Sequence, residues 1–227
     1  MQKRAGGRGR LLSLPGIEFD ARQTMNGIDL LTALPAGCAS LVFLDPQYRA
    51  ILDKQKYGNE GERQIKRAKL PQMSDDDIAF FVEEIERVLR PKGHLALWVD
   101  KFTIGEGHHH RWFRRTRALR RVDLFHWDKT SFGMGARFRG QSEYAVLVQK
   151  APFAAKGAFV DRGFPDTLPE SVDKSVHPHA KPIGITLRMI KALTKRGDLV
   201  VDPCAGGYGV LDACRVSARR FVGCDLK

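Results

Sequence analysis

The chain has 227 residues, enough for one domain with a substantial core, or for one domain with a small appendage. Its 43% hydrophobic content is ordinary for a globular protein, no run is long enough to span a bilayer, and the N-terminus lacks the apolar core of a signal peptide. A formal charge of +12, from 38 Lys+Arg against 26 Asp+Glu, points to a polyanionic partner without fixing which. Cys38, Cys204, Cys214 and Cys224 show no CxxC pairing. That argues against a zinc site or disulfide framework and for reduced thiols in a cytoplasmic setting.

Residues 1–19, basic and glycine-rich over the first ten positions, read as an N-terminal arm or as a terminus with no role. Leu30, Leu31 and Leu34 have helical spacing and stop at Pro35-Ala36-Gly37. Leu41-Val42-Phe43-Leu44 then has the length and make-up of a buried strand, and it ends in Asp45-Pro46-Gln47-Tyr48. Proline fixes its own φ and keeps the preceding residue extended, so Asp45 is held at the strand tip. A carboxylate, the carbonyls around Pro46 and a flat ring suit a planar ligand with an exocyclic NH2. A strand running into an ordinary proline turn is the plainer reading of the same residues.

Residues 49–72 carry Lys54, Lys56, Arg63, Lys66 and Arg67 among few apolar residues. They read as a long loop that closes on a phosphate backbone, or as a solvated charge run. Ser74 followed by three aspartates starts a helix whose apolar face is Ile78, Phe81, Val82, Ile85, Val88 and Leu89. Pro91 and Gly93 end it, and His94–Val99 follows as a strand, giving a parallel βαβ unit. His108-His109-His110 lacks further ligands at metal spacing. From Arg111 the spacing predicts a helix with Trp112, Leu119 and Val122 toward the core. Arg114, Arg117 and Arg121 then share its outer face, as phosphate contacts or as a solvated stripe.

Asp123–Trp127 and Glu143–Val148 read as an antiparallel pair. The connection between them carries glycines with Arg137 and Arg139, a second candidate wall of the site. Residues 151–176 show no period. A helix through Leu187, Ile190 and Leu193 ends at Arg196-Gly197. A strand then ends in Asp202-Pro203-Cys204-Ala205-Gly206-Gly207-Tyr208-Gly209, a Gly-rich strand-to-helix turn of the kind that admits a nucleoside-type ligand. The next strand ends at Asp225, placed to hold ribose hydroxyls.

In this order, Asp45-Pro46-Gln47-Tyr48, His177-Pro178-x-x-Lys181-Pro182, Asp202 to Gly207 and Asp225 resemble the permuted (β) group of DNA amino-methyltransferases. The resemblance covers roughly residues 20–150 and 177–227, and the order of the blocks is more specific than any single motif. It implies a Rossmann-like class I methyltransferase fold: a mostly parallel twisted sheet with one antiparallel strand. It divides a domain of residues 20–227 into a catalytic half (20–150), a short target-recognition stretch (151–176) and a cofactor half (177–227). It implies S-adenosylmethionine as cofactor, no metal, and methylation of a flipped adenine N6 in double-stranded DNA by an enzyme of bacterial or phage cytoplasm. A homodimer or partner subunit is left open.

Residue by residue, the resemblance gives Asp45, Pro46, Gln47 and Tyr48 the catalytic part. It gives Asp202, Pro203, Cys204, Ala205, Gly206 and Gly207 the methionine part of the cofactor and Asp225 the ribose. Lys181 falls near the cofactor's amino-acid end, Asp45 borders the cofactor, and Asn26 is a weak candidate by counting back. Three positions depart from the family pattern: Gln47 stands for a second proline, Cys204 for Phe, and Tyr208 for a loop glycine. Cytosine N4, adenine in RNA, and an inactive DNA-binding relative are the alternative readings.

Overall fold

The computed structural model describes residues 14–47, 72–133, 137–172 and 181–226. The three leucines at 30–34 anchor a short helix, α1 (Gly27–Ala33). The apolar run becomes β1 (Ala39–Leu44), buried along its whole length. A helix, α2 (Asp75–Val88), then leads directly into β2 (Leu89–Val99), which lies parallel to β1. The start of α2 is a capping box: Ser74 Oγ accepts from the Asp77 N–H at 3.1 Å, and the Asp77 carboxylate accepts from the Ser74 N–H at 2.8 Å. Ile78, Phe81, Val82, Ile85 and Val88 form its buried face.

After a short helix, α3 (Lys101–Gly105), come β3 (Leu119–Asp128) and β4 (Ser142–Lys150). β4 pairs antiparallel with both β3 and β2, so it is the one reversed strand. A short edge strand, β5 (Thr167–Pro169), lies parallel to β3 inside the stretch that shows no period. It is three residues long and ends in proline, which an edge tolerates and a central strand does not. α4 (Ile183–Leu193), β6 (Leu199–Asp202), α5 (Gly209–Ser217) and β7 (Arg220–Gly223) complete the chain. The sheet order is β5-β3-β4-β2-β1-β6-β7.

Alternate residues of each strand feed two cores. One holds Leu30, Leu31, Val42, Leu44, Ile78 and Ile85 under α1 and α2. The other holds Leu41, Phe43, Trp98, Ile190, Leu211 and Phe221 under α4 and α5. From β1 the chain crosses to β2 through α2; from β6 it crosses to β7, on the other side, through α5. The sheet therefore diverges between the carboxyl ends of β1 and β6, where open α/β sheets bind ligands.

The helix expected from Arg111 does not form. His108–Phe113 is a 3-10 helix and β3 begins at Leu119. Arg114 pairs with Asp76, Arg115 approaches Glu83 at 3.5 Å, and the N–H groups of Arg117 and Ala118 donate to Glu86 at 3.0 and 3.1 Å. The acids of α2 and the ladder to β4 override the helical spacing. Arg121 sits 5.6 Å from the Phe113 ring centre, so the three arginines share no outer stripe. Val122, expected in the core, is 41% exposed, whereas Trp112 is buried and its Nε1 donates to Asp75 at 2.8 Å.

Candidate active site

Asp45 stands at the tip of β1 with its side chain about a third exposed; Pro46 is buried behind it and Gln47 is exposed. The Gln47 carbonyl accepts from the Met73 N–H at 2.7 Å, which ties the tip to the start of α2. Tyr48, Lys54, Lys56, Arg63, Lys66 and Arg67 lie outside the described residues.

Asp45 has a cation beside it. Lys181, two residues ahead of α4, places Nζ 3.1 Å from Asp45 Oδ2 and 2.9 Å from Glu143 Oε2 on β4. The ammonium also lies 5.1 Å from the centre of the Trp98 ring. Glu143 Oε1 is 3.1 Å from Lys129 Nζ. Burial alone would lower the pKa of Lys181; Asp45 and Glu143 more than offset it and hold the ammonium well above the usual lysine range. Burial alone would raise Glu143, and Lys181 and Lys129 bring it down to about 2. Glu143 and Lys129 carry no motif, and only the strand register brings them here.

The second strand tip is built differently. Asp202 is 5% exposed, and its Oδ1 accepts from the Cys204 N–H at 3.2 Å. Burial raises its carboxyl to about 7 against the pull of that N–H, and the charges of Asp45 and Asp225 push the same way as burial. The loop beyond it curls over β7: the Ala205 N–H donates to the Cys224 carbonyl at 2.9 Å and the Gly206 N–H to Asp225 Oδ2 at 3.0 Å.

Gly206 and Tyr208 both have positive φ, 47° and 61°. Tyr208 therefore adopts the conformation a glycine would supply at this place. Its ring is buried against Phe221, and its hydroxyl donates to the Gln23 carbonyl at 2.7 Å and accepts the Gln23 N–H at 3.2 Å. These contacts hold a conformation that otherwise costs a non-glycine residue about 1 kcal/mol or more.

The segment before α1 forms the near wall. Thr24 bridges to Asp225 in parallel, and the Met25 N–H donates to the Asp225 carbonyl at 3.0 Å. Asn26 is exposed and caps α1, its Oδ1 accepting from the Ile28 N–H at 2.9 Å. A Cβ at Gly27 would lie 2.3 Å from the Pro203 carbonyl oxygen, so only glycine lets α1 start this close to the loop.

Arg137 and Arg139 lie on the exposed β3–β4 connection with Phe132 and Phe138, which are 75% and 87% exposed. The Gly133 N–H donates to the Gly140 carbonyl at 2.7 Å and Arg139 Nε to the Gly133 carbonyl at 2.8 Å. β3 and β1 run the same way, so this connection leaves the edge of the sheet that carries Asp45. His109 Nδ1 is 3.2 Å from the Thr103 carbonyl, and among the described residues no group of three or more His, Cys, Asp or Glu could hold a metal ion. No described helix is long and apolar enough to cross a membrane.

An acid-proline tip and a Gly-rich loop on adjacent strands at a sheet's switch point describe a nucleoside-cofactor enzyme of the class I methyltransferase type. Residues 39–227 match the model of the N6/N4 DNA methylase family, and the chain belongs to that family. It is 47% identical over 206 residues to the Type II methyltransferase M.HhaII of Haemophilus parahaemolyticus, covering 90% of each chain. Its fold is that of the PvuII cytosine-N4-specific DNA methyltransferase, at TM-score 0.67 and 17% identity, over 91% of this chain and 82% of that one. It is also that of M1.HpyAVI, solved as a complex with SAM, at TM-score 0.64 and 15% identity, over 91% and 92%.

Proposed function

We propose that this DNA methylase transfers a methyl group from S-adenosylmethionine to the exocyclic N6 of adenine in double-stranded DNA. The observation that carries the reading is the pair of acid-proline tips at the switch point, with Asp45 before Asp202 in the chain, the motif order of the permuted group. The site fits the cofactor by its charge. Asp45 and Asp225 both stand within electrostatic reach of Asp202, which is buried without a cationic side chain against it among the described residues. Such a set suits a ligand that brings positive charge, and the bound cofactor supplies both an ammonium and a sulfonium-bound methyl.

The chain's own part is to bind and orient. Asp202 and the 203–207 loop take the amino-acid portion, and Asp225 takes the ribose. The target amine is a poor nucleophile because its lone pair is delocalised into the ring. One N–H donated to the Asp45 carboxylate and one to the Pro46 carbonyl localise that pair on nitrogen, and Asp45 is placed to take the proton the amine gives up. Positioning and electrostatics supply most of the rate. Tyr48 is the face on which the flipped base stacks.

Arg137 and Arg139 contact phosphates, with Phe132 and Phe138 beside them against the bases. Part of residues 151–172 is spent on packing, and the rest stays exposed and open to a target. Phe159 and Phe164 pack on the α4 core, and Glu170 binds the Gly184 and Ile185 N–H groups at the start of α4. Target reading is shared between the exposed positions of this stretch and the β3–β4 connection. The likeness to M.HhaII, a Type II methyltransferase, supports a DNA-modification role. Transfer of labelled methyl to unmethylated DNA, followed by nucleoside mass spectrometry, tests the reading. N6-methyladenine is the expected product; N4-methylcytosine, or label in RNA alone, would overturn the substrate.

A further inference from the structure

Lys181 is held by two carboxylates, and only one of them belongs to the reaction read above. Asp45 follows β1, Lys181 precedes α4, Glu143 is on β4 and Lys129 follows β3, and the four alternate in sign along one edge of the sheet. Glu143 reaches this edge because β4 is reversed: its second residue stands level with the last residues of the parallel strands, opposite Trp127 in the ladder. The side chains are 24–30% exposed, so the contacts are screened but not bathed in water. Asp202, at the tip of the neighbouring strand β6, lies within electrostatic reach of Asp45.

An ammonium facing one carboxylate can swing across both of its oxygens and draw off their negative charge. An ammonium pinned between two carboxylates, with an indole ring close by, cannot. We propose that Glu143 is a positioning residue for methyl transfer: it fixes Lys181 on Asp45 Oδ2 and neutralises it. Asp45 is thereby kept oriented and a good acceptor for the target amine's N–H. Lys129 anchors Glu143 from the far end. The inference rests on the reading of Asp45 given above.

The test is Glu143→Gln, which keeps shape and removes charge. Its single-turnover methylation rate should fall on the order of 10- to 100-fold, the scale of displacing a reacting group by about 1 Å. Cofactor affinity should change by much less than the rate, because Glu143 is on β4, three places along the sheet from β6 and its loop. The second readout needs no turnover: in the intact protein, acylation of the Lys181 amine at pH 8, followed by digestion and mass spectrometry, should be several-fold faster in the variant. Lys129→Met should move both readouts the same way by less, and it carries the test if Glu143→Gln fails to fold. A wild-type rate in Glu143→Gln, or unchanged Lys181 acylation, would overturn the proposal. Faster acylation in the variant, with a wild type that methylates no base, would overturn the reading of Asp45 and this proposal with it.

Discussion

Two neighbouring strands of this sheet end in the same dipeptide. β1 stops at Asp45-Pro46 and β6 at Asp202-Pro203, side by side where the chain diverges to left and right. In both, proline holds the acid extended at the tip. Their surroundings are opposite. Asp45 is partly open and carries a lysine at 3.1 Å. Asp202 is closed in against the Cys204 N–H at 3.2 Å, and its carboxyl is pushed up to about 7. The chain completes the electrostatics of one tip, and in the proposed function a ligand completes the other. On the proposed reading, the first controls charge during the reaction and the second binds a cation.

The sharpest way to break this contrast is to remove the reacting carboxylate. Asp45→Asn should lower the single-turnover rate by about 10³-fold, within the range for a group that positions and accepts a proton. Retained transfer would end the account of β1.

The next effect is a pH dependence belonging to the other tip. A cationic ligand favours ionised Asp202, so its pKa falls on binding and a proton leaves. Cofactor affinity should therefore rise with pH up to about 7, by at most about tenfold per pH unit, and level off above. Calorimetry in buffers of different ionisation enthalpy reads that proton directly. Stability carries the opposite sign. A folded-state pKa above the unfolded value means that stabilisation is fully present below pH 3.8 and lost as the pH rises through about 7. Asp202→Asn should thus raise the Tm of the free protein at pH 8 while weakening cofactor binding, a trade of function against stability.

Smaller effects concern the outer surface. Replacing Arg137 and Arg139 with Gln should weaken DNA binding and reduce the slope of log K against log salt by about one for each arginine that had neutralised a phosphate. Arg114→Ala should leave that slope unchanged and cost at most about 1 kcal/mol, as expected for an exposed pair with Asp76. A reduced slope in Arg114→Ala would give Arg114 a phosphate contact beyond its pair with Asp76.

What can be read from the sequence divides along the same line. Both tips are legible because a buried strand ending in Asp-Pro is local: three or four apolar residues and a proline suffice. The capped start of α2 is legible for the same reason. Glu143 and Lys129 are not, because they meet Lys181 only through the register of a reversed strand. The run Arg111–Arg121 reads wrongly as a helix because its spacing is helical, while the acids that capture it lie on α2, some 30 to 40 positions earlier. β5 is too short to show a period. Asn26, placed by counting, caps α1, a role its position ahead of Gly27 could have suggested.

The division of labour between the tips is tested most directly by titrating S-adenosylmethionine into wild type, Asp45→Asn and Asp202→Asn at pH 7.5 by calorimetry. Asp45→Asn should bind within about threefold of wild type, and Asp202→Asn should lose at least about tenfold, the scale of one charge-assisted contact. Full binding by Asp202→Asn, or its loss in Asp45→Asn, would contradict the account.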